Sequence, residues 1–219
     1  MNTQMEKTRG RVGSTAPADW SEPNPSRPVP FWSSLMADIQ AHVSPTDRPR
    51  TRRRWLWTGL GVVLRSSGFR LGLLYRLAHA AHGRLGVPGR ILAAVLFWLG
   101  RHWYGCSLAS TARLYGGLIL PHPQGIVIGA GVVVGPRTWI FHNVTLGGAP
   151  GKVGMPHVGA DARLFAGAVL TGPVVIGDQV MIGANAVVSR GVPSRMAVRL
   201  PEPAVVPLPE RFLPSEPQA

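Results

Sequence analysis

The chain has one cysteine, Cys106, and no acidic residue anywhere between Asp47 and Asp161. A single cysteine rules out an intramolecular disulfide. The longest apolar runs, near Trp55 to Leu64 and Ile91 to Leu99, fall well short of the roughly 20 residues that a bilayer span needs, so no membrane span is predicted. Met1 to Pro30 is polar and proline-rich, with no apolar segment of the signal-peptide kind, and a cytoplasmic protein is expected. The glycine-rich stretches match neither the P-loop nor the dinucleotide fingerprint.

What the chain does have is positive charge, with a formal net charge of +13. Arginines crowd the carboxylate-free window from Arg48 to Arg101. Such a stretch suits nucleic acid, anionic lipid or a phosphate-rich cofactor; its plain alternative is a solvated basic face.

Composition divides the chain into four parts. Residues 1–30 are rich in Pro, Ser, Thr and Gly, cannot bury enough surface to offset the ordering entropy, and are expected to be a disordered arm. Residues 31–105 read as an α-helical basic segment. Leu35, Ile39 and Val43 share a helical face in Phe31 to His42, and Phe69, Leu73, Leu77 and Ala81 share one in Phe69 to His82. Pro88 is placed to open a third helix, Gly89 to Tyr104. Tryptophans and arginines here suit an interfacial surface, although core or subunit packing is their commoner use. Residues 106–200 follow a different period, and 201–219 read as an extended, proline-rich tail.

That period is six. Leu108, Leu114 and Leu120 keep it; so do Ile128, Val134, Ile140 and Leu146; so do Val158, Leu164, Leu170, Ile176, Ile182 and Val188. This is the hexapeptide signature of a parallel β-helix. Each unit supplies one flat face and a corner, with the aliphatic residue turned into a narrow core. One unit cannot bury its apolar side, but stacked coils can. The period breaks twice. Leu120 to Ile128 spans eight residues and carries His122 between two prolines; Leu146 to Val158 spans twelve and ends at His157. Insertions leave a solenoid's stack intact, so such breaks are where function is commonly placed.

The segments GIVIG, NVTLGG and MPHVGADARLFAGAVLTGPVVIGDQVMIGANAVVSRGVP, with a histidine just before GIVIG, resemble the serine acetyltransferases over about Leu108 to Pro193. The resemblance implies a left-handed parallel β-helix, a homotrimer, and acetyl-CoA as the acyl donor, with its pantetheine arm in the groove between adjacent solenoids. It implies that His122 is the general base and that His157 helps hold the acceptor or the developing oxyanion. Gly147 and Gly148 would offer backbone donors, Ala166 and Ala184 would line the pantetheine groove, and Arg190 would meet the cofactor phosphates. No metal is implied. A neutral imidazole suits the base role because its ordinary pKa, near 6.5, lets it take a proton from an alcohol attacking a thioester.

The sequence departs from that family's pattern around the acceptor. Pro121 replaces the Asp before the base, Ser107 stands where an Asp would orient the imidazole, Pro156 replaces the Arg before the second histidine, and Ala130 replaces an acid. Any orienting partner must come from Asp38, Asp47, Asp161, Asp178 or another subunit, or be a neutral hydroxyl. The lost groups are those that would hold an amino acid's ammonium and carboxylate. A sugar or secondary-metabolite hydroxyl therefore fits better than free serine. The alternatives are a non-catalytic β-helix scaffold and a peripheral membrane contact through 48–104; nucleic acid is not expected. His142 reads as structural or groove-lining, Cys106 as a small buried residue, and His79 with His82 as only half a metal site.

Overall fold

A computed structural model describes residues 29–44 and 51–201. The expected disordered arm (up to residue 28), Asp47 and the tail from 202 lie outside the described residues. Among the described residues, four helices precede thirteen short strands: α1 (Phe31–Ala41), α2 (Arg52–Arg65), α3 (Ser67–Arg84) and α4 (Gly86–Tyr104), then β1 (Ser107–Leu108) to β13 (Ala197–Val198).

The six-residue period is a solenoid in which every strand pairs in parallel with the coil above or below. Face A holds β1, β3 (Val127–Ile128), β6 (Thr145–Gly147), β9 (Val169–Thr171) and β12 (Val187–Val188). Face B holds β2 (Arg113–Leu114), β4 (Val133–Val134), β7 (His157–Val158) and β10 (Val175–Ile176). Face C holds β5 (Trp139–Ile140), β8 (Arg163–Leu164), β11 (Met181–Ile182) and β13. All thirteen periodic aliphatics are buried, none more than 6% exposed. A second inward position stands two residues earlier and is filled mostly by small side chains such as Ala112, Thr138, Ala162, Ala168 and Ala186. The two positions together fill a core too narrow for a second layer.

The corners turn through left-handed backbone. Asn143 and Asn185 adopt φ of 56° and 59°, and Gly125 and Gly167 sit in the same corner at 63° and 71°. Glycine is needed at Gly125 because a Cβ there would lie 2.1 Å from Asn143 Oδ1. The asparagine stacks on the glycine, and both tolerate positive φ.

The helices cap the first coil. α1 covers the expected residues, and α3 and α4 begin earlier than the spacing indicates. α2 lies within the expected α-helical segment, over an apolar run in which no separate helix is expected. α3 starts with Ser66 accepting a hydrogen bond from Phe69 N at 3.1 Å, an N-cap. It is packed on several sides, so Leu71, Tyr75 and Ala78 are buried together with Phe69 and Ala81, as are Gly68, Gly72 and Arg76. Leu77 departs from the expected inward face and is 40% exposed. Tyr75 Oη donates to Ala112 O at 2.7 Å and accepts from Leu114 N at 3.1 Å, tying α3 to the first coil. Burial pushes its phenol up to about 12. α4 ends at Gly105, whose φ of 61° closes the helix with its N–H on Arg101 O. Cys106 follows, 1% exposed, as the sequence implied.

Candidate active site

His122 sits at the corner between faces C and A. Ile140 N donates to Ile119 O at 3.0 Å, and Asn143 N donates to Gln124 O at 2.8 Å. Between these two rungs the upper coil needs only Phe141 and His142, whereas the lower coil must also fit Pro121, His122 and Pro123 beyond Leu120. The excess pushes His122 outward: it is exposed while Pro123 is buried. Its ring lies 6.0 Å from that of His142 and 6.5 Å from that of Phe141, centroid to centroid.

Backbone hydrogen bonds continue this corner upward. Gly167 N donates to His142 O at 3.0 Å and Asn185 N to Ala166 O at 2.8 Å. Gln124, His142, Ala166 and Ala184 thus form one column along the corner, with His122 at its lower end. Phe141 and Phe165 stack beside it at 5.2 Å. The Ala166 and Ala184 expected in a cofactor groove are on this column. Among the described side chains, only the Nδ1 of His142 is a buried polar atom with no hydrogen-bond partner. His142, expected to be structural or groove-lining, faces His122. Its place on the corner, not the six-residue beat of the core, aligns it with Ala166.

A cavity of about 290 Å³ opens at His122, walled by Ser67, Trp103, Tyr104, Pro121, Pro123 and Gln124. The ends of α3 and α4 therefore help shape the site, which sequence reasoning missed. Arg70 holds Tyr104 through Nε to Oη at 3.1 Å and also donates to Val63 O at 3.0 Å. α3 touches the His122 coil so closely that a Cβ on Gly68 would fall 1.9 Å from Leu120 O.

The remaining expected site residues stand elsewhere. His157 is half-buried on face B, in register with Val133 below and Val175 above. Gly147 ends β6 in register with Thr171, and Gly148 O accepts from Thr171 Oγ1 at 3.1 Å. Arg190 is exposed and follows β12 before Val192 rejoins face B. All four lie toward the corner between faces A and B, across face A from His122, Ala166 and Ala184. Within one chain the structure separates the two groups. Ser107 lies on β1 opposite Val127 and is not in the cavity wall.

None of the described carboxylates serves His122. Asp38 is buried against Arg76 and accepts from Gly117 N and Leu118 N at 2.7 and 2.9 Å. Asp161 pairs with Arg137, 2.6 Å from Nε to Oδ1 and 2.5 Å from Nη2 to Oδ2. That pairing raises the Arg137 pKa. Asp178 accepts from Ala160 N at 2.6 Å. His79 directs Nδ1 to Ser110 O at 2.8 Å, and burial lowers its pKa. Burial pushes the Cys106 thiol up. Among the described residues, no group of three His, Cys, Asp or Glu is placed to hold a metal ion.

Comparison with known proteins agrees with this architecture. Residues 155–190 match the family pattern of the bacterial transferase hexapeptide (six repeats). The serine acetyltransferase of Helicobacter pylori (strain ATCC 700392 / 26695) is 36% identical over 148 residues, covering 67% of this chain and 82% of that protein. Among solved structures, Neisseria gonorrhoeae serine acetyltransferase in complex with serine superposes with a TM-score of 0.63 at 31% identity, over 79% of this chain and 68% of that one. Soybean serine acetyltransferase complexed with serine gives 0.63 at 30% identity, over 76% of this chain and 65% of that one. Fold, repeat and relatives converge: the chain belongs to the serine acetyltransferase-like, left-handed β-helix family of hexapeptide-repeat acyltransferases.

Proposed function

We propose that the protein transfers an acetyl group from acetyl-CoA to an alcohol, with His122 as general base. The observation that carries this reading is the outward bulge of His122 at the foot of a small-residue column on one solenoid corner. The imidazole takes the hydroxyl proton as the alcohol oxygen forms a bond to the thioester carbonyl carbon. The carbon–sulfur bond breaks, and the imidazolium returns the proton to the departing thiolate. No covalent enzyme intermediate is needed. Ala166 and Ala184 would leave room for the pantetheine arm, and Arg190 of a neighbouring copy would meet the phosphates of the cofactor.

His157, Gly147 and Gly148 would assist from a neighbouring copy. A cyclic trimer joins unlike surfaces of the same chain. The corner bearing His122 and the opposite edge of face A, bearing His157, can face one another only across such an interface. The oxyanion would be met there by the second imidazole and by backbone donors at the glycines.

The acceptor is a sugar or another neutral alcohol rather than serine. Pro121, Pro156 and Ala130 offer neither carboxylate nor guanidinium to an amino acid, and Ser67, Trp103, Tyr104 and Gln124 in the cavity wall at His122 bring no carboxylate, ammonium or guanidinium group either. The reading includes a cytoplasmic location, because the donor is a CoA thioester.

Thiol release from acetyl-CoA, followed with a panel of sugars, alcohols and serine, tests this. Turnover with a neutral alcohol should fall about 10²–10⁴-fold in His122→Ala. A second reading, a non-catalytic scaffold, is favoured by the lack of any described carboxylate at His122. It stands if no acceptor gives turnover and the His122→Ala protein behaves as the parent.

A further inference from the structure

α4 turns one side inward and leaves the other bare. Gly89, Ala93 and Gly100 are its buried residues. Away from them, Val87, Ile91, Val95 and Trp98 recur at helical spacing, and they are 66, 62, 49 and 53% exposed. Such a contiguous apolar stripe on a surface calls for an occupant. Arg90 and Arg101 are both exposed and, eleven positions apart, lie along the same flank of the stripe.

Charge selects among occupants. Neither α4 nor any residue from 48 to 160 supplies a carboxylate. A second copy of this face would bring arginine against arginine with nothing to neutralise either. A nucleic acid would meet the arginines but leave the aliphatic stripe and Trp98 in water. An anionic lipid surface satisfies both: headgroups meet the arginines, and the stripe enters the headgroup and acyl boundary, where tryptophan is also favoured. No helix among the described residues is long and apolar enough to cross a membrane, so the helix would lie in the surface.

We propose that the outer face of α4 docks the protein peripherally on an anionic membrane, with Val87, Ile91, Val95 and Trp98 inserted and Arg90 and Arg101 on the headgroups. Docking does not depend on which alcohol is acetylated, or on catalysis at all.

Cosedimentation of the full chain with vesicles tests it, comparing pure phosphatidylcholine with phosphatidylcholine containing roughly one-third phosphatidylglycerol at low salt. Binding is expected on the anionic vesicles and should weaken with added salt. Each of Arg90→Gln and Arg101→Gln should lower affinity about fivefold. Ile91→Asp should abolish it, and a blue shift of tryptophan emission on binding should shrink in Trp98→Phe. These sites are exposed, so the variants should keep the parent's thermal midpoint. Absence of binding to anionic vesicles, or full binding by a folded Ile91→Asp protein, overturns the proposal. A drop in native molar mass in Ile91→Asp with no vesicle binding by the parent would assign the face to a second copy. RNA binding by the parent with no vesicle binding would assign it to nucleic acid.

Discussion

Asp38 on α1 and Arg76 on α3 form a buried two-pronged ion pair, with Nε to Oδ2 at 2.9 Å and Nη2 to Oδ1 at 3.1 Å. The pair is 4% and 3% exposed and is hydrogen-bonded to the solenoid. Arg76 also donates to Leu114 O and Tyr115 O, and Asp38 Oδ1 accepts from Gly117 N and Leu118 N. One cluster therefore joins two helices to the first coils. Removing either partner leaves a charge buried alone. Asp38→Ala or Arg76→Ala should destabilise the fold by about 3–5 kcal/mol, measured by denaturant unfolding.

Gly68→Ala should disturb the site without touching its chemistry. The new methyl would meet the Leu120 carbonyl, so α3 must shift away from the coil that carries His122. Turnover should fall roughly tenfold or more, since small misplacements of reacting groups are costly. Gly72→Ala on the same helix is the control: nothing lies within 4 Å of its Cβ position, and its activity should match the parent.

Mixing variants tests whether the two histidines act across an interface. His122→Ala and His157→Ala should each be impaired alone. If unfolded and refolded together in equal amounts, roughly a quarter of the sites should combine an intact His122 with an intact His157 from the neighbour. Recovered thiol release in the mixture is the expected result, and no recovery places both groups in one chain's site.

Cys106 should be inert in the native state. It is 1% exposed, its Sγ lies 3.3 Å from Tyr104 O, and burial raises its pKa. A thiol reagent at pH 8 should label it only after denaturation. Rapid stoichiometric labelling of folded protein would contradict the packing of α4 on the first coil.

Acid should weaken the fold partly through His79. Burial lowers its pKa, so the unfolded chain binds a proton more readily than the folded one. Stability from this group is complete above the unfolded value near 6.5 and declines as pH falls below it toward the lowered folded value. His79→Gln should flatten that part of the stability profile, followed as the thermal midpoint between about pH 7.5 and 5.

The solenoid was legible because its cause is local and repeated. Leu114, Ile140, Leu164 and Ile182 each mark the inward point of a six-residue unit, and a periodic chain has few ways to bury a periodic face. The two breaks were legible for the same reason, since an insertion shows against a regular beat. The helical segment was less so. α3 is buried on more than one side, which leaves no single apolar stripe to read, and Leu77 fell on the wrong side as a result. α2 showed only as an apolar run, because its arginine-rich start hides the helical spacing.

By itself, the order of residues determined the coil, the bulge that pushes His122 outward, and the charge imbalance of the first half. Only the tertiary structure decided what those features face. It brought His142, Ala166 and Ala184 onto one edge, residues that lie far apart along the chain. It set His157 and Arg190 on the opposite edge, and it paired Asp38 with Arg76 instead of with an imidazole. The physical reason is that a six-residue period specifies which side chains enter the core. Which corners align, and which helix ends close over them, depends on stacking between distant coils and on the packing of α3 and α4, which no local pattern encodes.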